Sequence, residues 1–334
     1  MSATFESIMT DLERKRYAGV YVLDGEEPYF IDEITRYIEE HVLNQGEKDF
    51  NQVVLYGRDA DAGRIINESR SYPVFAERRV VIIKEASQLK DFNKLELYIE
   101  KPLNSTILLI AHKHKKIDGR SNLSKLIKKN AVYFTSEKVK DYRLADWIFN
   151  YGGKKGVDIE KKDCETLAAY LGNDLQKITN EIDKILINIG GQKKITAEHI
   201  EKYIGISREF NVFELPQALT DRDVERVFRM VNYFAGNPRS APMILVLGAL
   251  YNHFSKLYNY YFNAGKDDKT IATVLKINPF FVKDYKKAAQ SFSFHQVENV
   301  ILLLHEYNLK TLGIDSTAED AALLKELMIK ILYV

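Results

Sequence analysis

The place to look first for chemistry in this sequence is the loop after its first apolar run, Asp24-Gly25-Glu26-Glu27-Pro28-Tyr29-Phe30-Ile31-Asp32-Glu33. A phosphate-binding loop in that position reads G-x-x-x-x-G-K-S/T. Its backbone N–H groups and a Lys surround the phosphates while a hydroxyl holds magnesium. Of that pattern only Gly25 is present. Phe30 and Ile31 stand where Gly and Lys belong, and Glu26 with Glu27 would repel phosphate at close range. Acidic residues at a helix start instead satisfy its orphan donors and its dipole without any ligand. A second test lies at the end of the apolar run Val80–Ile83, where nucleotide-hydrolysing sheets carry an Asp for the metal. Here the next residue is Lys84, which cannot serve. By residue type the chain lacks both the phosphate cradle and the metal carboxylate, so no nucleotide and no metal are expected to bind.

Other reactive groups are sparse. The segment 113–129 holds seven Lys or Arg against one acidic residue, Asp118. It reads as a solvated face or as a local phosphate-contacting patch, in which Lys113, Lys115, Lys116 and Arg120 are the candidate DNA contacts. His112 and His114 have no Cys or carboxylate beside them and are not a metal pair. The single cysteine, Cys164, lies in a helical pattern and reads as a small buried hydrophobe. It can form no intramolecular disulfide, as suits a reducing cytoplasm. No G-x-S-x-G and no metal-spaced His/Cys cluster is present, so no catalytic constellation and no cofactor are expected.

One stretch is out of place. Ser71-Tyr72-Pro73-Val74-Phe75-Ala76 puts apolar side chains in a connection that is ordinarily polar and solvated, beside a Pro that ends a helix. Either Val74 and Phe75 fold back to cap their own sheet, or they form a plug that enters a pocket on another protein, as anchor residues do.

Residues this far apart need a scaffold. Over the first 140 residues, runs of strand length (Val20–Leu23, Val53–Tyr56, Val80–Ile83, Ile107–Ala111, Val132–Thr135) alternate with helical patterns (Tyr29–Val42, Ala62–Ser69, Leu89–Glu100, Leu123–Lys129). Alternation with short connections predicts an α/β domain, a parallel sheet covered by helices on both faces. From Asp141 the period becomes helical with no further strands. Ile178, Ile182, Ile185 and Ile189 share one face, and the pairs Gly152-Gly153 and Gly190-Gly191 are expected to end helices. From Phe210 to the end the chain reads as a helical bundle. Its long helix, from Ala241 to about Asn263, carries Tyr251, Tyr258, Tyr260 and Tyr261, enough aromatic surface for a subunit interface. With 334 residues and a formal net charge of +1, two or three domains are expected and no global field draws the chain to nucleic acid or membrane. No run approaches a membrane span and the amino-terminal stretch lacks the apolar core of a signal peptide, so a cytoplasmic protein is expected.

Three segments in this order and spacing, Tyr21 to Phe30, Ser71 to Arg79 and Gly172-Asn173-Asp174-Leu175, resemble the delta subunit family of bacterial DNA polymerase III. The resemblance extends over essentially the whole chain. It implies a P-loop ATPase-like domain with a degenerate nucleotide site (1–140), then two all-α domains, a helical lid (141–207) and a helical collar that oligomerises (208–334). It also implies a role without catalysis of its own, as the clamp-opening member of the clamp loader within the DNA polymerase III holoenzyme. The implied partners are the sliding clamp (beta subunit), the loader's ATPase subunits and delta-prime, and primed DNA within the assembly. The family's apolar pair, which enters the hydrophobic cleft of the clamp, maps onto Val74 and Phe75, with Tyr72 and Pro73 flanking. Val74 departs from the commoner Leu and shortens the plug by a methylene. The lid segment Asn180-Glu181-Ile182-Asp183-Lys184 offers no Arg toward a nucleotide. Two rival readings are a replication-associated P-loop ATPase with a cryptic site, which must bind ATP with magnesium, and a free-standing DNA-binding protein, which the balanced charge disfavours.

Overall fold

Five runs rich in Val, Ile and Leu form the strands of one parallel sheet. In chain order the first unit runs α1 (Phe5–Glu13), β1 (Val20–Gly25), α2 (Pro28–His41), α3 (Gln45–Asn51), β2 (Gln52–Tyr56), α4 (Ala62–Arg70), β3 (Arg79–Lys84), α5 (Glu96–Ile99), β4 (Thr106–Lys113), α6 (Asn122–Asn130) and β5 (Val132–Ser136). The strand order is β2-β3-β4-β1-β5, with every neighbouring pair parallel. This computed structural model describes residues 3–205, 210–238, 241–277 and 279–334, and the chain divides into two compact units, Met1–Val139 and Lys140–Val334.

Strand alternation sends successive side chains to opposite faces. Val20, Val22, Val81, Ile83, Leu108 and Ile110 pack on one side with Ile65 and Ile66 of α4, Ile99 of α5 and Ile127 of α6. Tyr21, Leu23, Val80, Ile82, Ile107 and Leu109 pack on the other with Ile8 and Leu12 of α1 and Ile31, Ile34 and Ile38 of α2. Both faces are therefore covered, which is why these strands read as unbroken apolar runs rather than as alternating ones. The helix expected over Leu89–Glu100 is shorter than its pattern: a 3₁₀ turn at Phe92–Leu95 leads into the single α-turn of α5.

The second unit begins with α7 (Leu144–Lys154), β6 (Asp158–Ile159), α8 (Lys161–Leu171), α9 (Leu175–Asn188), β7 (Lys194–Ile195) and α10 (Ala197–Ile204). It continues with α11 (Leu215–Thr220), α12 (Val224–Gly236), α13 (Met243–Tyr261), α14 (Asp268–Leu275), α15 (Val282–Ser291), α16 (Phe294–Thr311) and α17 (Asp320–Leu332). The expectation of no strands after residue 141 is corrected by β6 and β7, which pair in parallel, Asp158 with Lys194 and Ile159 with Ile195. Strands of two residues are too short for a period-2 pattern to register. A second correction concerns Gly152 and Gly153, which lie inside α7 rather than ending it. A Cβ on Gly152 would stand 2.9 Å from the Ile159 side chain, so the residue lets α7 pass close to β6. Gly190 and Gly191 do follow α9, with left-handed φ of 61° and 87°. Cys164 is buried in α8, and burial pushes its thiol up to about 12. The expected lid–collar boundary at 207/208 lies outside the described residues. From Val212 onward a single buried cluster, including Phe234, Phe254, Phe292 and Leu327, joins the later helices.

Candidate functional site

In a sheet of this order the ligand crevice lies beyond the carboxyl ends of β1 and β4, where the connections diverge to opposite faces. The backbone donors there are already engaged by the protein. Gly25 N–H donates to the Lys115 carbonyl at 3.1 Å, and the N–H groups of Glu26 and Glu27 to the Ser136 carbonyl at 2.9 and 3.3 Å. Glu27 is buried at the N-cap of α2, where its Oε1 accepts from the Tyr29 N–H at 3.1 Å, and its carbonyl accepts from the Ser136 hydroxyl at 2.7 Å. The two acidic residues thus separate: Glu27 caps the helix from inside while Glu26 is exposed. Gly25 persists for another reason. Its φ is 126°, and a Cβ would lie 2.0 Å from the Ser136 carbonyl oxygen, so only glycine lets β1 run this close to β5. Lys84 is ion-paired with Glu39 of α2 at 2.8 Å.

The segment after β4 folds over the same end. Asp24, wholly buried on β1, accepts from the Ile117 N–H at 2.7 Å and the Tyr133 hydroxyl at 2.8 Å. His112 holds the Lys115 carbonyl at 3.0 Å and packs on Phe92. Its ring is thus committed to the loop, and no cluster of possible metal ligands occurs among the described residues. Three of the four basic residues nominated for DNA carry their own carboxylates: Lys113 pairs with Asp32 at 2.9 Å, Lys116 with Glu137 at 2.9 Å and Arg120 with Asp118 at 3.3 Å. Lys115 is exposed. The patch is more nearly neutral than its composition.

The apolar tip lies at the opposite, amino-terminal end of the sheet, between α4 and β3. Phe75 is 100% exposed, Tyr72 75% and Val74 45%, with Pro73 half-buried. Phe75 therefore does not cap its own sheet. Its φ is +53°, in the left-handed region that a bulky residue enters at a cost. The loop is held at both ends and in the middle. Ser71 Oγ donates to the Asn67 carbonyl at 3.0 Å, which closes the end of α4. Arg79, nearly buried, donates from Nε to the Glu68 carbonyl at 2.9 Å and from Nη1 to the Phe50 carbonyl at 3.2 Å, and pairs with the Glu68 carboxylate. Asn51, fully buried at the end of α3, grips Val74 by both sides of its peptide backbone: Val74 N–H donates to Oδ1 at 2.6 Å, and Nδ2 donates to the Val74 carbonyl at 2.8 Å. Sequence reasoning found the tip but not Asn51, whose only signal is a polar residue immediately before an edge strand. Arg79 was likewise hidden, because an Arg next to a strand start is ordinarily solvent-facing.

In the second unit, α13 and α16 leave a groove of about 600 Å³ lined by Ile244, Leu247, Gly248, Tyr251, Ile301 and Leu302. Ile244, Tyr251 and Leu302 are 63, 56 and 66% exposed. The other tyrosines of α13 divide: Tyr258 and Tyr261 pack on Phe294, and Tyr260 is buried in the core.

Comparison with known proteins agrees across both units. Residues 21–137 match the family described as DNA polymerase III, delta subunit, and residues 209–330 match the C-terminal domain of the same subunit. The chain is 26% identical over 318 residues to DNA polymerase III subunit delta of Bacillus subtilis (strain 168), covering 91% of each. It is also similar to the solved structure of a Bacillus subtilis DNA clamp loader delta protein, with a TM-score of 0.64 and 24% identity over 99% of this chain and 100% of that one, a shared fold.

Proposed function

Because this chain belongs to the DNA polymerase III delta subunit family, we propose that it is a clamp-loader subunit that acts by binding: it engages the ring-shaped sliding clamp through its apolar tip and holds one ring interface open. The observation that carries this reading is the full exposure of Phe75 on a loop whose backbone is fixed by buried Asn51 and Arg79. A fully exposed aromatic on a rigid mount is suited to a desolvated pocket on a partner. Val74, Tyr72 and Pro73 complete the contact.

In this reading the energy for loading comes from ATPase subunits of the same assembly, delta-prime among the neighbours, and this chain neither binds nucleotide nor catalyses a reaction. The engaged donors of Gly25, Glu26, Glu27 and Tyr29 support that division of labour. The segment 141–207 serves as the lid and 208–334 as the collar that docks on the other subunits. Primed DNA passes through the assembled loader, with Lys115 better placed to touch it than the ion-paired Lys113, Lys116 and Arg120. No described helix is long and apolar enough to cross a membrane, and the setting proposed is the cytoplasm.

The test is binding of the purified chain to its cognate sliding clamp in EDTA without nucleotide, beside a calorimetric titration with ATP and magnesium. Clamp binding with no ATP heat is expected. Saturable ATP binding at micromolar concentration, or a clamp interaction that requires ATP on this chain, refutes the reading and favours a working ATPase site.

A further inference from the structure

We propose that Asn51 is the positioning residue of the tip: by holding both backbone polar groups of Val74 it fixes the loop in its binding conformation before the partner arrives. This rests on the reading of the tip as the clamp contact. Asn presents a donor and an acceptor on one planar group, the pattern a neighbouring strand would offer, and so can pair with a peptide's N–H and C=O at once. At Val74 it does so at 2.6 and 2.8 Å, while its Nδ2 also reaches the Glu47 carbonyl at 3.1 Å, which ties the side chain back to α3. Asn51 is 0% exposed, so no water competes for these bonds.

The geometry explains how an unfavourable conformation persists next door. Phe75, one residue beyond the held peptide, sits at φ +53° with its side chain entirely in solvent. No packing of that ring can stabilise the left-handed backbone. The constraint comes from the flanking peptide, and Asn51 is its holder. With the hold removed, Val74, which is 45% exposed as a residue, can turn its backbone groups to water, and the loop is free to relax Phe75 to negative φ. The partner must then re-order it. Fixing one residue's backbone costs about 1–2 kcal/mol, so each tip residue set loose weakens binding roughly tenfold.

The experiment uses the full chain with Asn51→Leu, Asn51→Gln and Phe75→Ala, and measures three quantities: cognate clamp affinity, melting, and hydrogen exchange at the Val74 amide. Asn51→Leu fills the same space without polar groups. It is expected to melt near the wild type, to exchange the Val74 amide fast, and to bind the clamp roughly tenfold or more weakly. Asn51→Gln keeps both the donor and the acceptor on an arm one methylene longer, so both exchange and affinity should fall between wild type and Asn51→Leu. That graded rescue distinguishes positioning from general destabilisation, and Asn51→Gln carries the test if Asn51→Leu does not fold. Wild-type affinity and a protected Val74 amide in the Asn51 variants overturn the inference, while loss of binding in Phe75→Ala leaves the clamp reading standing. Unchanged binding in Phe75→Ala overturns the clamp reading itself, and exchange at Val74 then still decides whether Asn51 holds the loop.

Discussion

Replacing Phe75 separates tip from core in one residue. Its side chain is 100% exposed in the free chain, so Phe75→Ala removes no internal packing and should leave stability within about 0.5 kcal/mol of the wild type. If the same ring is wholly desolvated on the clamp, its burial contributes about 1.5–3 kcal/mol, so the variant should bind roughly tenfold to a hundredfold more weakly. Val74, already half-buried, has less to gain, and Val74→Ala should lose less. Phe75→Gly sharpens the contrast. A side chain at left-handed φ costs about 1–2 kcal/mol, and the added freedom of glycine in the unfolded chain gives back about 0.5–1, so a net gain near 0.5–1 kcal/mol remains. The glycine variant should therefore melt slightly higher than the wild type while binding the clamp at least as poorly as Phe75→Ala. Differential scanning calorimetry and surface plasmon resonance on the three proteins provide both readouts. A loss of about 3–5 kcal/mol of stability on truncating Phe75, the cost of opening a core cavity, would refute the reasoning. Unchanged clamp affinity would do so equally.

The α13–α16 groove predicts that Leu302→Asp, which puts a charge on an apolar face, abolishes entry into the loader while leaving clamp binding intact; co-elution with the ATPase subunits decides it. His253, on α13 against Thr220 at 3.2 Å and stacked on Tyr285, is held down to about 4 by burial, with Lys256 adding to the effect. Its folded value lies below the unfolded one, so the unfolded state takes up its proton first. The stability it confers is complete above about pH 6.5 and is lost as pH falls toward 4, by up to about 3 kcal/mol, less for the partly exposed edge of its ring. A His253→Gln variant should flatten the pH dependence of melting over that window. Equal slopes in both proteins would assign the acid sensitivity elsewhere.

The sheet was legible because its strands are buried on both faces and so carry unbroken apolar runs, and α2, α4 and α6 because their stripes are amphipathic. Helix α3 was not legible: Gln-Gly-Glu-Lys-Asp-Phe-Asn has no apolar stripe, and the helix rests on its Asn44–Glu47 capping box. The pair β6 and β7 escaped by shortness, and Gly152 misled because a glycine needed for close packing looks the same in sequence as one that ends a helix. The tip was visible as apolar residues in the wrong place, and the crevice as a motif with its key residues replaced. What sequence could not supply was who holds what. Asn51 and Val74 are 23 residues apart, and the three ion pairs that lower the charge of the basic segment join Lys113 to α2, Lys116 to the end of β5 and Arg120 to Asp118 within the segment.

The tip opens directly into β3, whose first residue, Arg79, also anchors the loop. Strand β3 is flanked by β2 and β4, with ladders on both edges over Val80–Ile83. A pull on Phe75 along the strand axis therefore loads those hydrogen bonds in shear, all at once, rather than peeling them one after another. That is the stiffest direction a sheet offers. In the proposed role such a mount matters, because compliance behind the tip would absorb the displacement that the clamp is proposed to undergo.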